Sequence, residues 1–167
     1  MKTIKLNMGC GNKHKEGYLN IDLSPSVKPD MLLDLGKFPY PFKDNSVSAI
    51  YSEDLLEHFP KHDLFKVLEE WHRISKPGAI WELKLPFYNS SSIAHVQHYS
   101  VFDFSSFDTM DVRHKYHYYW DNLHFKIIKI DHIPTTRGRL VPFRKFFSRS
   151  IGQIVRSVIF TMEVVKK

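Results

Sequence analysis

Short strand-like runs, each closing on a glycine or a polar residue, recur along this chain and restrict it to one class of architecture. Residues 3–8 (TIKLNM), 18–22 (YLNID), 31–34 (MLLD) and 47–51 (VSAIY) have the β-branched and alternating pattern of strands. The stretch "KHDLFKVLEEWHRISKPG", 61–78, is helical instead. Its Leu64, Val67, Leu68, Trp71 and Ile74 recur on one face, and Pro77 with Gly78 marks the stop. A strand "AIWELKLP" follows, then a histidine- and aromatic-rich region from 86 to 120, a strand-like "HFKIIKI", a basic segment near 134–149 and an alternating "SVIFTMEVV". Strands separated by helical or loop connections imply an open α/β sheet. Such sheets bind ligands beyond the carboxyl ends of their strands. Gly9, Gly11, Asp22, Asp34, Ser52, Glu53 and the residues from Pro86 onward occupy those positions.

The first loop narrows the choice of ligand. Gly9 and Gly11 let the backbone turn sharply and bring its N–H groups close to a bound molecule. A dinucleotide fingerprint needs a third glycine and an acidic residue about 20 positions on. Position 14 is His, and Asp22 arrives after "NKHKEGY", room for only about one helical turn at 3.6 residues per turn. Pyrophosphate binding is therefore disfavoured. A carboxylate at the end of the second strand still suits the two hydroxyls of a ribose, and Asp34 suits an exocyclic amine. Taken singly, the glycines read equally as a tight turn and the two aspartates as cap residues; their order at successive strand ends favours a nucleoside without a diphosphate.

Length and composition set the outer bounds. The chain of 167 residues fits one domain, with 1–86 expected to bind the cofactor and 87–167 to bind the acceptor and complete the sheet. No stretch approaches the roughly 20 apolar residues of a membrane span. The N-terminus enters a strand pattern directly, without the marks of a secretory signal, so a cytoplasmic location is expected. The single cysteine, Cys10, excludes an internal disulfide and reads as loop packing rather than as a nucleophile. The net charge of +6 suits anionic partners.

Four stretches together carry a family resemblance: "LNMGCG", "NID", "LLDLGKFPYPFKDNSVSAIYSEDLLEHF" and "HRISKPGAIWELKLP". In order and content they resemble the successive motifs of class I S-adenosylmethionine-dependent methyltransferases, closest to the methyltransferase type 11 group. The resemblance spans about residues 4–86. It implies a Rossmann-like, mostly parallel seven-stranded sheet with an antiparallel last strand, and S-adenosyl-L-methionine as cofactor. It places Met8, Gly9, Cys10 and Gly11 at the amino-acid part of that cofactor, Asp22 with Leu23 at the ribose, and Asp34 with Leu35 at the adenine edge. Ser52 and Glu53 would lie near the sulfonium, with His58 beside the same pocket. The chain departs from the family pattern at Asn7, Lys13, Ser48 and Ala79, and its first crossover helix is shortened.

Methyl transfer is an in-line displacement, served chiefly by alignment of acceptor, methyl and sulfur. An oxygen acceptor also needs a base, for which histidine is suited. His58, His95 and His98 are the candidates, although His58 reads more readily as a helix-start residue bonded to a backbone carbonyl, and His95 and His98 read equally as structural residues. No metal site is expected, because the His95/His98 and His114/His117 spacings lack an accompanying cysteine or acidic pattern. The cluster "RHKYHYYWDNLHF" suits either an acceptor pocket or an interface. The basic segment carries Arg137, Arg139, Arg144, Lys145, Arg149 and Arg156 among phenylalanines, either as a solvated helix or as a peripheral contact with an anionic surface through 137–156. No DNA partner is expected, since no nucleic-acid module is recognisable. The expected activity is methylation, at oxygen, of a small-molecule or glycan-type acceptor. A noncatalytic nucleoside-binding protein and a nucleic-acid methyltransferase are the rivals.

Overall fold

A computed structural model describes residues 3–148 and 150–166 of the chain; Arg149 lies outside them. The elements run β1 (Ile4–Met8), β2 (Leu19–Asp22), β3 (Met31–Leu32), β4 (Val47–Glu53), α1 (Lys61–Ile74), β5 (Ser75–Pro86), β6 (Phe125–Pro134), α2 (Arg144–Phe147) and β7 (Val155–Val164). All seven strands form one sheet in the order β3-β2-β1-β4-β5-β7-β6. The pairs from β3 to β5 are parallel, and β7 is inserted antiparallel to both β5 and β6. This is the expected α/β, Rossmann-like arrangement with its antiparallel last strand.

One face of the sheet carries the core. Register aligns Leu6, Ile50, Trp81 and Met162 in one row and Met8, Ser52, Leu83 and Phe160 in the next, all buried. Helix α1 lays its apolar stripe on this face, with Trp71 edge-on to Trp81 at 5.7 Å. The long connection from β5 to β6 packs beside it, where Phe107 meets Phe160 edge-on at 4.9 Å. The opposite face is differently treated. Lys5, Ala49, Ile80, Glu163 and Lys126 form a row there, with Lys5, Ile80, Glu82 and Lys126 exposed. Among the described residues no helix joins β1 to β2; the turns of 9–18 cover only part of this face, where Lys15 lies over Tyr51.

Two boundaries differ from the sequence expectation. Helix α1 stops at Ile74 rather than at Pro77, because Ser75 is already extended and pairs with Val47. Pro77 and Gly78 lie instead in the irregular start of β5, where Gly78 takes φ +76° and the register with β4 shifts. Among its described residues the basic segment forms a three-residue turn of 3-10 helix, Gly138–Leu140, and the four-residue α2. Its Leu140, Phe143 and Phe146 project into solvent rather than onto the domain, so the periodicity of a continuous helix is never realised.

Candidate active site

The turns after β1 hold their shape through buried asparagines. Asn7 on β1 donates from its amide both to the backbone carbonyl of Lys13 (2.9 Å) and to Asn20 Oδ1 (2.8 Å), and that same Oδ1 accepts from the Lys15 N–H. Gly9 and Gly11 both sit at positive φ. A Cβ on Gly9 would lie 2.7 Å from Leu55 Cδ1, so the glycine lets the first loop abut the turn that leaves β4. Cys10 is buried, and burial with the nearby Asp22 charge raises its thiol pKa, which disfavours the thiolate.

At the end of β2, Asp22 accepts the Gly11 N–H on Oδ2 (2.8 Å) and the Ser24 N–H on Oδ1 (2.9 Å). Each carboxylate oxygen retains a further lone pair, so the group is oriented by the loop yet still able to accept. Asp34 accepts the Gly36 N–H and pairs with Lys37, while Leu35 beneath it is buried. Leu23 stands 66% exposed, whereas Met8 is wholly buried, so Met8 offers only backbone to a ligand. Ser52 is buried with its hydroxyl unpartnered. Glu53 receives Lys13 (2.6 Å) and Lys84, together with the Tyr51 hydroxyl (2.7 Å). Against the upward push of burial, those three hydrogen bonds hold its carboxyl down at about 2. Strand order reverses between β1 and β4, so these residues surround the crevice in which open α/β sheets bind ligands.

A second cluster begins four residues beyond Glu53. A single 3-10 turn, Leu56–His58, carries Glu57 and His58. The Glu57 carbonyl accepts the N–H groups of Tyr99 (2.8 Å) and Ser100 (3.2 Å), which ties the His95–His98 segment to that turn. His58 and His98 meet edge-on at 4.9 Å, and His95 lies 5.0 Å from His98. His58 Nδ1 is 3.2 Å from the Gln97 carbonyl; a carbonyl only accepts, so Nδ1 bears the proton. Burial, then the neighbouring His58 and His95, lowers the pKa of His98. Burial pushes the Glu57 carboxyl up to about 7, with the Asp54 charge adding to it. These residues line a cleft of about 530 Å³ that also receives Arg139 and Arg156.

The structure thus brings all three candidate histidines together, with His95 exposed and His58 and His98 half-buried. It does not add the aromatic cluster, whose His117 instead pairs with His124 at 2.8 Å. Glu57 is the residue that sequence reasoning passed over. Its only signal was adjacency to His58 in "LEH", and its burial comes from tertiary packing.

No curated protein sequence matches the chain. The family described as "Methyltransferase domain" matches residues 6–81, from β1 into β5. A solved structure described as a SAM dependent methyltransferase from Archaeoglobus fulgidus is 13% identical, with a TM-score of 0.69 over 96% of this chain and 86% of that one. A complex between the Haloferax volcanii Trm112 methyltransferase activator and the putative methyltransferase matches at 14% identity, TM-score 0.65, over 99% of this chain and 83% of that one. Geranyl diphosphate C-methyltransferase from Streptomyces coelicolor A3(2), in complex with Mg2+, geranyl diphosphate and S-adenosyl-L-homocysteine, matches at 15% identity and TM-score 0.60, over 98% and 74% of the two chains. Likeness at these identities speaks to the fold.

Proposed function

Residues 6–81 are a methyltransferase domain set on the class I methyltransferase fold, and from that premise we propose that this chain uses S-adenosylmethionine to methylate an oxygen of a small-molecule or glycan-type acceptor. The observation that carries the proposal is the placement of the histidine cleft directly beyond the strand that closes the nucleoside crevice, with Leu55 against Gly9 joining the two. The crevice fits the cofactor. Asp22 offers oriented acceptors for ribose hydroxyls, Asp34 and Leu35 a polar edge over an apolar floor, and the helix-free loop of Gly9 and Gly11 no anchor for a diphosphate. S-adenosylmethionine supplies an electrophilic methyl group.

The remaining work falls to the chain. Its crevice and cleft align methyl and acceptor, which is the largest gain open to a displacement of this kind. The histidine cluster takes the proton that leaves the acceptor hydroxyl. Arg139 and Arg156 at the cleft favour an acceptor that carries negative charge. Residues 1–86 serve as the cofactor-binding half and 87–167 as the acceptor-binding half. Exposed Leu140, Phe143 and Phe146 beside Arg137, Arg139 and Lys145 support peripheral contact with an anionic surface. No helix among the described residues is long and apolar enough to cross a membrane. The free, buried Cys10 supports a cytoplasmic setting.

Calorimetric titration with S-adenosylmethionine and S-adenosylhomocysteine, with NAD as control, tests the cofactor. Saturable binding of the first two alone is expected, with loss of at least about tenfold in affinity in Asp22→Ala, a deletion of oriented charged acceptors worth ~1.5–3 kcal/mol. Unchanged affinity in a folded Asp22→Ala protein would remove the ribose role. Cofactor binding without turnover on any hydroxylated acceptor would leave a noncatalytic binding protein.

A further inference from the structure

Three ligand-bearing side chains converge in the cleft. One donor atom each from Glu57, His58 and His98 lies within 4.8 Å of the other two. Ligands on a tetrahedral ion at about 2.1 Å are separated by roughly 3.4 Å, so small side-chain rotations close the set. The donor chemistry points the same way. Glu57 is 1% exposed, and its Oε2 has no hydrogen-bond partner; His98 Nδ1 is likewise buried and unpartnered. Buried polar atoms without partners are rare in folded proteins and call for an explanation, an ion among them. His58 already gives its Nδ1 proton to the Gln97 carbonyl, which leaves Nε2 as the nitrogen with a free lone pair. Orientation of an imidazole by a backbone carbonyl is the usual support of a metal-bound histidine. The backbone bonds from Tyr99 and Ser100 to the Glu57 carbonyl hold the two halves of the cluster together before any ion arrives.

We propose that Glu57, His58 and His98 hold a divalent transition-metal ion of the zinc class at the floor of the acceptor cleft. Two imidazoles and one carboxylate suit such an ion, whereas magnesium takes mainly oxygen donors. Three protein ligands leave a position open, as in catalytic zinc sites. Resting on the reading of this cleft as the acceptor site, the inference gives that position to the acceptor hydroxyl, whose proton is then lost more readily. The proton passes to His95, which is exposed beside His98 and is not among the three ligands. The oxygen pair forms the new bond to the methyl carbon, and sulfur keeps the pair of the bond that breaks.

The test uses the full chain, stripped with a chelator and titrated with Zn²⁺ by calorimetry and with Co²⁺ by visible absorption. A single saturable site with the spectrum of four- or five-coordinate cobalt is expected. His98→Ala, His58→Ala and Glu57→Gln should each weaken it by more than the ~10–100-fold typical of losing an outer-sphere partner, and His95→Ala should not. If Glu57→Gln fails to fold, the half-exposed His58 and His98 variants decide. Absence of a saturable site, or wild-type affinity in the folded histidine variants, overturns the proposal. S-adenosylhomocysteine titration of the metal-free protein separates the two readings: cofactor binding without a metal site defeats this inference alone, and a metal site without cofactor binding defeats the methyltransferase reading, and with it the acceptor role, while the three-ligand site stands.

Discussion

Asn7 shows how one atom type remodels a loop. A carboxylate at this position accepts only, so the Lys13 carbonyl would lose this donor and Asn20 Oδ1, left with the Lys15 N–H alone, would face a second acceptor. The amide satisfies both, and so closes a connection with no crossover helix. We expect Asn7→Asp to cost about 1–3 kcal/mol, the usual penalty for orphaned buried polar groups, seen as a lowered midpoint in denaturant. Restored stability in Asn7→Asp with Asn20 still in place would show that the network is dispensable. Neighbouring Gly11 has open space around its missing Cβ but sits at φ +48°. Gly11→Ala should therefore lose only about 1 kcal/mol, from backbone strain rather than from collision, in parallel melts with the wild type. The turn at Gly11 was legible in the sequence, but the role of Asn7 was not: the departures at Asn7 and Lys13 were visible, yet a hydrogen bond across thirteen residues is not encoded in local pattern.

At the scale of elements, α1 is secured along one face and at its C-terminal end. Leu68→Ala, beneath the sheet, should cost about 2–5 kcal/mol, readable by urea titration. The far end of the helix is tied to the end of β7, where His72 Nε2 donates to the Val165 carbonyl (3.0 Å) and Lys166 donates to the His72 carbonyl. Burial, then the Lys166 charge, holds His72 near 4; His124 also faces it, and Asp121 lines the same hollow. Its ordinary value is about 6.5. A depressed histidine contributes stability fully above the unfolded value and loses it as pH falls through the folded one. Melting temperature should thus drop between about pH 6.5 and 4, and His72→Gln should flatten that drop. The strands and α1 were legible because their periodicity is a local property. The end of α1 was not, because pairing of Ser75 with Val47 overrode the Pro-Gly signal. Glu57 escaped for the same reason, since its partners Tyr99 and Ser100 come from a distant part of the chain.

For the molecule as a whole, the basic charge is less instructive than where it lies. Arg139 and Arg156 reach the cleft, while Phe143 and Phe146 stand clear of it. If 137–156 meets an anionic surface, the protein should sediment with phosphatidylserine vesicles and be released by salt, and Phe143→Ser with Phe146→Ser should reduce that binding; equal recovery with neutral vesicles would count against it. The one-sided layering of the sheet has a different consequence. Parallel sheets are ordinarily covered on both faces, but here Lys5, Ile80, Glu82 and Lys126 are already in water in the folded state. Unfolding has correspondingly less surface left to expose. The urea dependence of its folding free energy should be shallow for a chain of this length, and its heat-capacity increment small, because both scale with newly wetted area. A protein built this way yields gradually to denaturant and to temperature, over transitions broader than its size suggests.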